Sequence, residues 1–227
     1  MNGAPKFGKP SRAATVGVFL WLLLGLSAAV GQELPVQSAP SYHRVSGVAP
    51  QDVLNIRSAP SADAPIIGAL APFAAPVEVV VSHAGWGRVT QGEQGGWVSM
   101  RYLAPIEMPE FGASGLPQGL VCAGTEPFWS LELGANGARM SELGGTTGVF
   151  QILDAEQAEG RPDPAALWLG GPAGPALAQL TRRYCTDTMT DRIYAYTAAL
   201  ALETAAGRRL LAGCCRVPLA SQSGSKD

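Results

Sequence analysis

Histidine is almost missing from this chain of 227 residues: His43 and His83 are the only two. The stretch from residue 105 onward therefore has no imidazole for a Ser-His or Cys-His pair, and no multi-histidine zinc set. Lysine is nearly as scarce, with Lys6, Lys9 and Lys226 alone, and sixteen basic residues face eighteen acidic ones. A nucleic-acid binder needs a basic face to displace phosphate counterions, so no nucleic acid is expected as a partner. Gly144-Gly145 and Gly170-Gly171 lack the lysine and the following helix of a phosphate-cradling loop and read as turns. No Cys-x-x-Cys pair occurs, and cysteine is absent before Cys122. Neither a metal nor any other cofactor is expected.

Acidic residues are also absent before Glu33. Lys6, Lys9 and Arg12 precede the apolar run Ala13 to Val30, and small residues Ala29-Val30-Gly31 end it. That layout is an export signal over residues 1–31, with a mature chain from Gln32. Residues 13–30 are also just long enough for a retained inner-membrane anchor, and only then is membrane contact expected. Removing residues 1–31 deletes three of the sixteen basic residues and no acidic one, which moves the net charge from −2 to −5. A periplasmic or secreted protein is the expectation, and export makes disulfides the default state of its cysteines.

After a leader segment at 32–41, the pattern becomes that of short strands. Leu54-Asn55-Ile56-Arg57 alternates, and Ser58 to Asp63 supplies turn formers before Ile66-Ile67-Gly68-Ala69-Leu70. Val77 to Val81, Trp86 to Val89 and Gly95 to Val98 follow, the first two separated by Ser82-His83-Ala84-Gly85. Leu54-Asn55-Ile56-Arg57, Gly85-Trp86, Gly96-Trp97-Val98 and Tyr102-Leu103, in that order, resemble bacterial SH3 domains over residues 42–104. The resemblance implies a small barrel that binds cell-wall peptide or a partner protein and performs no chemistry. Alternation favours the core for Trp97 and leaves Trp86 evenly balanced. Tyr42, Trp86, Trp97 and Tyr102 are the candidate ligand-binding residues. His83 is expected in a solvated turn, and His43 has no assigned role.

Residues 105–117 hold three prolines and two glycines with no sustained period, and read as a linker. Beyond it, residues 118–217 form short apolar or alternating runs punctuated by Gly134-Ala135-Asn136-Gly137 and Gly144-Gly145. These describe a second antiparallel β-barrel or sandwich, followed by a polar tail at 218–227, so the fold class is all-β. The Ala-rich stretch Tyr194 to Ala206 also fits a helix, and strand is preferred for its first half because Ile193, Tyr194, Tyr196 and Thr197 are β-formers. Cys122, Cys185, Cys214 and Cys215 all lie in this half. A vicinal Cys214–Cys215 bond is disfavoured by geometry, and adjacent strand residues face opposite ways. The pair is therefore expected to tie Cys122 on one side and Cys185 on the other. Of Arg182-Arg183 and Arg208-Arg209, two are expected to be structural for the same reason.

Cys122-Ala123-Gly124-Thr125-Glu126-Pro127-Phe128-Trp129-Ser130, the stretch Cys185 to Tyr194, and Gly213-Cys214-Cys215-Arg216 resemble a family of uncharacterised exported proteins of proteobacteria. That resemblance implies location and no activity. The reading is a non-catalytic envelope protein whose SH3-like module binds peptidoglycan or another envelope protein. One alternative is a carboxylate-dependent cell-wall glycan enzyme centred on Glu126, with Asp187 and Asp191 as possible partners. The other is an inhibitor or sensor of lytic enzymes. Asp187 and Asp191 alone fall short of the oxygen set that calcium needs.

Overall fold

The computed structural model describes residues 39–172 and 174–219. The expected export signal at 1–31, residues 32–38 of the expected leader segment and residues 220–227 of the expected tail lie outside the described residues. Among the described residues no helix is long and apolar enough to cross a membrane.

The first part is built from β1 (Ser41–Val45), β2 (Leu54–Arg57), β3 (Ile66–Leu70), β4 (Val77–Val79), β5 (Val81–His83), β6 (Trp86–Gln91), β7 (Gln94–Ser99) and β8 (Leu103–Pro105), with a single 3-10 turn at Met100–Tyr102. A three-stranded sheet, β4-β1-β8, lies beside a five-stranded one, β3-β2-β7-β6-β5. Val45, Leu54, Ile56, Leu70, Val89 and Val98 meet between them. The expected single strand Val77 to Val81 is broken at Val80, because β4 pairs with β1 whereas β5 pairs with β6. A continuous run of valines cannot show where a strand changes sheets. The following turn closes with Ala84 and Gly85 at positive φ, which glycine takes freely. His83 is exposed at the end of β5, beside that turn.

The second part is a closed, eight-stranded antiparallel barrel. Its strands are β9 (Val121–Thr125), β10 (Phe128–Gly134), β11 (Gly137–Glu142), β12 (Gly145–Gln157), β13 (Ala165–Gly170), β14 (Ala176–Thr186), β15 (Ile193–Thr204) and β16 (Gly207–Arg216). β10 to β16 run as a meander, and β9 closes the ring between β16 and β10. Both expected hairpin turns are present, and the Ala-rich stretch is strand β15 as far as Thr204, beyond the first half for which strand is expected and with no helix. Alternation fixes the inward face: Leu131, Leu133, Leu167, Leu169, Leu180 and Leu200 are fully buried and fill the interior.

The closing seam between β16 and β9 is short, with Cys214, Cys215 and Arg216 opposite Ala123, Cys122 and Val121. A Cys122–Cys215 disulfide crosses it, and a Cys185–Cys214 disulfide leaves the neighbouring residue for the end of β14. The expected split of Cys214 and Cys215 between Cys122 and Cys185 is thus what the chain does. Trp129 is buried above this seam and donates its Nε1–H to the Ala212 carbonyl at 3.2 Å. Gly124 and Gly213 make room for it: a Cβ on Gly124 would collide with the indole Nε1, and one on Gly213 with the Ala123 carbonyl and the indole ring.

The stretch 105–117 is not a free spacer. Phe111, Leu116 and Leu120 are buried in the barrel core, and the Ser114 hydroxyl donates to the Phe111 carbonyl and accepts from the Leu116 amide. Arg182 donates to the Gly115 and Pro162 carbonyls and pairs with Asp163 at 3.0 Å. Arg209 forms a 2.6 Å ion pair with Glu142, so Arg182 and Arg209 are structural while Arg208 remains exposed. An aperiodic plug leaves no hydrophobic pattern to read, which is why its composition resembles that of a linker.

Two results are expected. Replacing Cys122 and Cys215 with alanine should lower stability by about 4–5 kcal/mol in the chain-entropy account, and replacing Cys185 and Cys214 by about 3–4, because the first loop is the longer. Urea unfolding of each double variant under non-reducing conditions measures both. Gly213→Ala should cost about 1–3 kcal/mol by overpacking against Trp129, and a variant as stable as the parent would contradict the role given to that glycine.

Candidate functional site

β2 and β7 share a face with the start of β6, and alternation leaves Asn55, Arg57, Trp86 and Ser99 on the side away from the small core. The 3-10 turn then adds Arg101 and Tyr102. Together they border a groove of about 630 Å3 that also takes in Asp52 and Gly47. Arg101 stacks over the Tyr102 ring at 5.8 Å, whereas Arg57 is held by the Ala64 carbonyl at 2.6 Å. The groove thus offers two aromatic faces, a side-chain amide and charges of both signs.

Of the four candidate ligand-binding residues, the structure brings Trp86 and Tyr102 into this groove. Trp97 is in neither the groove nor the core: it is half-buried, opposite Arg57 and Arg88 on the outer face of the sheet. The Arg88 guanidinium lies 5.5 Å from its ring. The inward positions of β7 are Gly96 and Val98, so the alternation holds with the other phase.

Tyr42 is a contact between the two parts of the molecule. Its hydroxyl lies 2.8 Å from the Tyr196 hydroxyl in β15 and donates to Glu78 Oε1 at 3.3 Å. The Val217 amide, just beyond β16, donates to the same oxygen at 3.0 Å. Burial pushes the Glu78 carboxyl up to about 8, against the opposing pull of those hydrogen bonds and of Arg216. Burial likewise raises the Tyr42 and Tyr196 hydroxyls well above the usual tyrosine range. His43 is buried beside them and held below its ordinary value by desolvation, with no protein partner for Nδ1. Nothing in Val77-Glu78-Val79 marks the glutamate as buried, since a polar residue between valines reads as a solvent-facing position. The face is covered only because the barrel packs on it, and Val80 and Val81 join the barrel's core cluster.

The Thr90 hydroxyl donates to the Ile193 carbonyl at 3.0 Å and accepts from the Ile193 amide at 3.1 Å. Arg192 Nε donates to the Gly92 carbonyl at 2.9 Å. These bonds fasten the β6–β7 hairpin to the loop between β14 and β15. On its other side that loop borders a hollow of about 520 Å3, whose opposite wall is the outer surface of β9, β10 and β11. Two of the sequence segments that stood out, Cys122 to Ser130 and Cys185 to Tyr194, therefore meet here.

Glu126 is exposed in the β9–β10 turn. Asp187 accepts from the Met189 and Thr190 amides and the Thr190 and Tyr194 hydroxyls. Its burial opposes ionisation, and those hydrogen bonds outweigh it, holding the carboxyl below the usual range. Asp191 is exposed on the same loop. Although Glu126 precedes Pro127-Phe128-Trp129, it is not enclosed in an apolar setting, since Pro127 and Phe128 are themselves exposed.

Residues 52–104 match the family model described as Bacterial SH3 domain. The match begins after β1, although β1 pairs with both β4 and β8. No curated protein and no solved structure matches the chain. The two disulfides and the SH3 segment fit a protein that folds outside the cytoplasm.

The raised carboxyl of Glu78 sets a pH dependence. A carboxyl near 4.5 when unfolded and about 8 when folded contributes fully below about pH 4.5 and loses that contribution as pH rises to about 8. Between those limits the stability advantage of the parent over Glu78→Gln should shrink by on the order of a few kcal/mol. His43 acts with the opposite sign in acid and is common to both proteins. Parallel stability curves for the two across that range would contradict the assignment.

Proposed function

We propose that this is a non-catalytic envelope protein, periplasmic or secreted, whose SH3 module docks on peptidoglycan or a wall-associated protein. The observation that carries the reading is the groove that gathers Trp86 and Tyr102 with Asn55 and Arg101 on one face of residues 52–104. Bacterial SH3 domains often bind the cell wall. Aromatic faces with an adjacent amide and guanidinium suit a chain of amide-linked polar groups, because stacking and in-plane hydrogen bonds act on the same ligand. The larger barrel, which no comparison identifies, serves as a platform for the module.

Purified residues 32–227 should co-sediment with insoluble peptidoglycan. Trp86→Ala and Tyr102→Ala should each weaken that binding about tenfold, and Trp97→Ala should leave it near the parent value. A protein that stays in the supernatant, or groove variants that bind as the parent does, would sink the wall-docking reading.

A further inference from the structure

The hollow on the outside of the larger barrel leaves large apolar side chains in solvent. Phe128, Leu143 and Met189 are 48%, 83% and 64% exposed, and all three border it. Single exposed apolar side chains are ordinary, but three large ones around one concavity mark a contact surface. The barrel keeps its own core on the other side of these strands.

Met189 is presented by a loop tied down from several directions. The Cys185–Cys214 bond anchors its start, Asp187 collects four hydrogen bonds within it, and Arg192 and Ile193 are fastened to the SH3 hairpin. Thr188 sits at φ 61°, a left-handed conformation that a β-branched residue rarely adopts. Such strain persists only where the surroundings impose it, and a loop fixed in advance loses little freedom on binding.

The charge around the hollow has one sign in excess. Glu126, Glu142, Asp187 and Asp191 stand on the segments that border it. Three cations stand near them: Arg209 pairs with Glu142, Arg192 is engaged by the Gly92 carbonyl and the Tyr194 hydroxyl, and Arg216 is half-buried between Arg192 and Glu78. Glu126 and Asp191 are exposed.

We propose that this hollow is a second binding site, which takes an exposed segment of a basic partner protein in which a large apolar side chain is flanked by Lys or Arg. The apolar side chain enters between Phe128, Leu143 and Met189, and the basic ones meet Glu126 and Asp191. The site is separate from the SH3 groove and does not depend on wall docking.

The test uses residues 32–227 and three labelled octapeptides, alternating Lys-Leu, Glu-Leu and Lys-Ser, followed by fluorescence anisotropy. The Lys-Leu peptide should bind, and the other two should bind at least about tenfold more weakly. Leu143→Ser and Met189→Ser should each weaken it about tenfold, the double variant Glu126→Gln/Asp191→Asn should flatten its salt dependence, and Ile66→Ser should change nothing. Failure of the Lys-Leu peptide to bind, equal binding of Glu-Leu, or indifference to Leu143→Ser and Met189→Ser would overturn the proposal. So would a parent protein that dimerises and becomes monomeric on Leu143→Ser, since the hollow would then be covered by a second copy.

Discussion

Two adjacent cysteines at the end of β16 hold the rest of the structure in place. An eight-stranded sheet becomes a barrel only if its first and last strands meet, and here they meet over three residue pairs. Cys215 locks that seam to Cys122 on the inside, while Cys214 turns the other way and pins the end of β14 through Cys185. Just beyond, Arg216 and Val217 reach the SH3 sheets, where the Val217 amide meets Glu78. A single strand end thus closes the barrel, anchors the loop that carries Met189, and touches the SH3 module.

The contacts between the two parts are of a kind that depends on accurate placement. A hydrogen-bonded run from Tyr196 through Tyr42 to Glu78 is buried, and a buried polar group that loses its partner costs far more than the bond itself contributes. Thr90 repeats the arrangement at the other end of the contact by bonding both backbone groups of Ile193. The SH3 groove and the barrel's hollow are therefore positioned by one shared framework, although they are lined by different residues.

Much of this was legible in the residues. Leu54-Asn55-Ile56-Arg57 and the tryptophans that follow mark the small barrel, and alternation through Trp129, Leu131 and Leu133 marks the large one. The opposite faces of Cys214 and Cys215 anticipated their separate partners. What stayed hidden depends on contacts that no local period encodes. Phe111 and Leu116 look like linker residues because their burial follows no repeat, and Glu78 looks exposed because the surface covering it lies over a hundred residues away. Trp97 sits on the opposite face from the one its strand suggested, since Gly96 and Val98 take the inward positions. The segments around Gly124, Trp129 and Gly213 frame an indole above the closing seam.

Because the buried Tyr196–Tyr42–Glu78 contact ties them together, the SH3 module and the larger barrel should unfold as one cooperative body. Scanning calorimetry of residues 32–227, compared with the van't Hoff enthalpy from circular dichroism, tests it directly. One transition with equal calorimetric and van't Hoff enthalpies is expected. Two separable transitions, with the smaller indifferent to Tyr42→Phe and Glu78→Gln, would show that the buried contact does not couple the two parts.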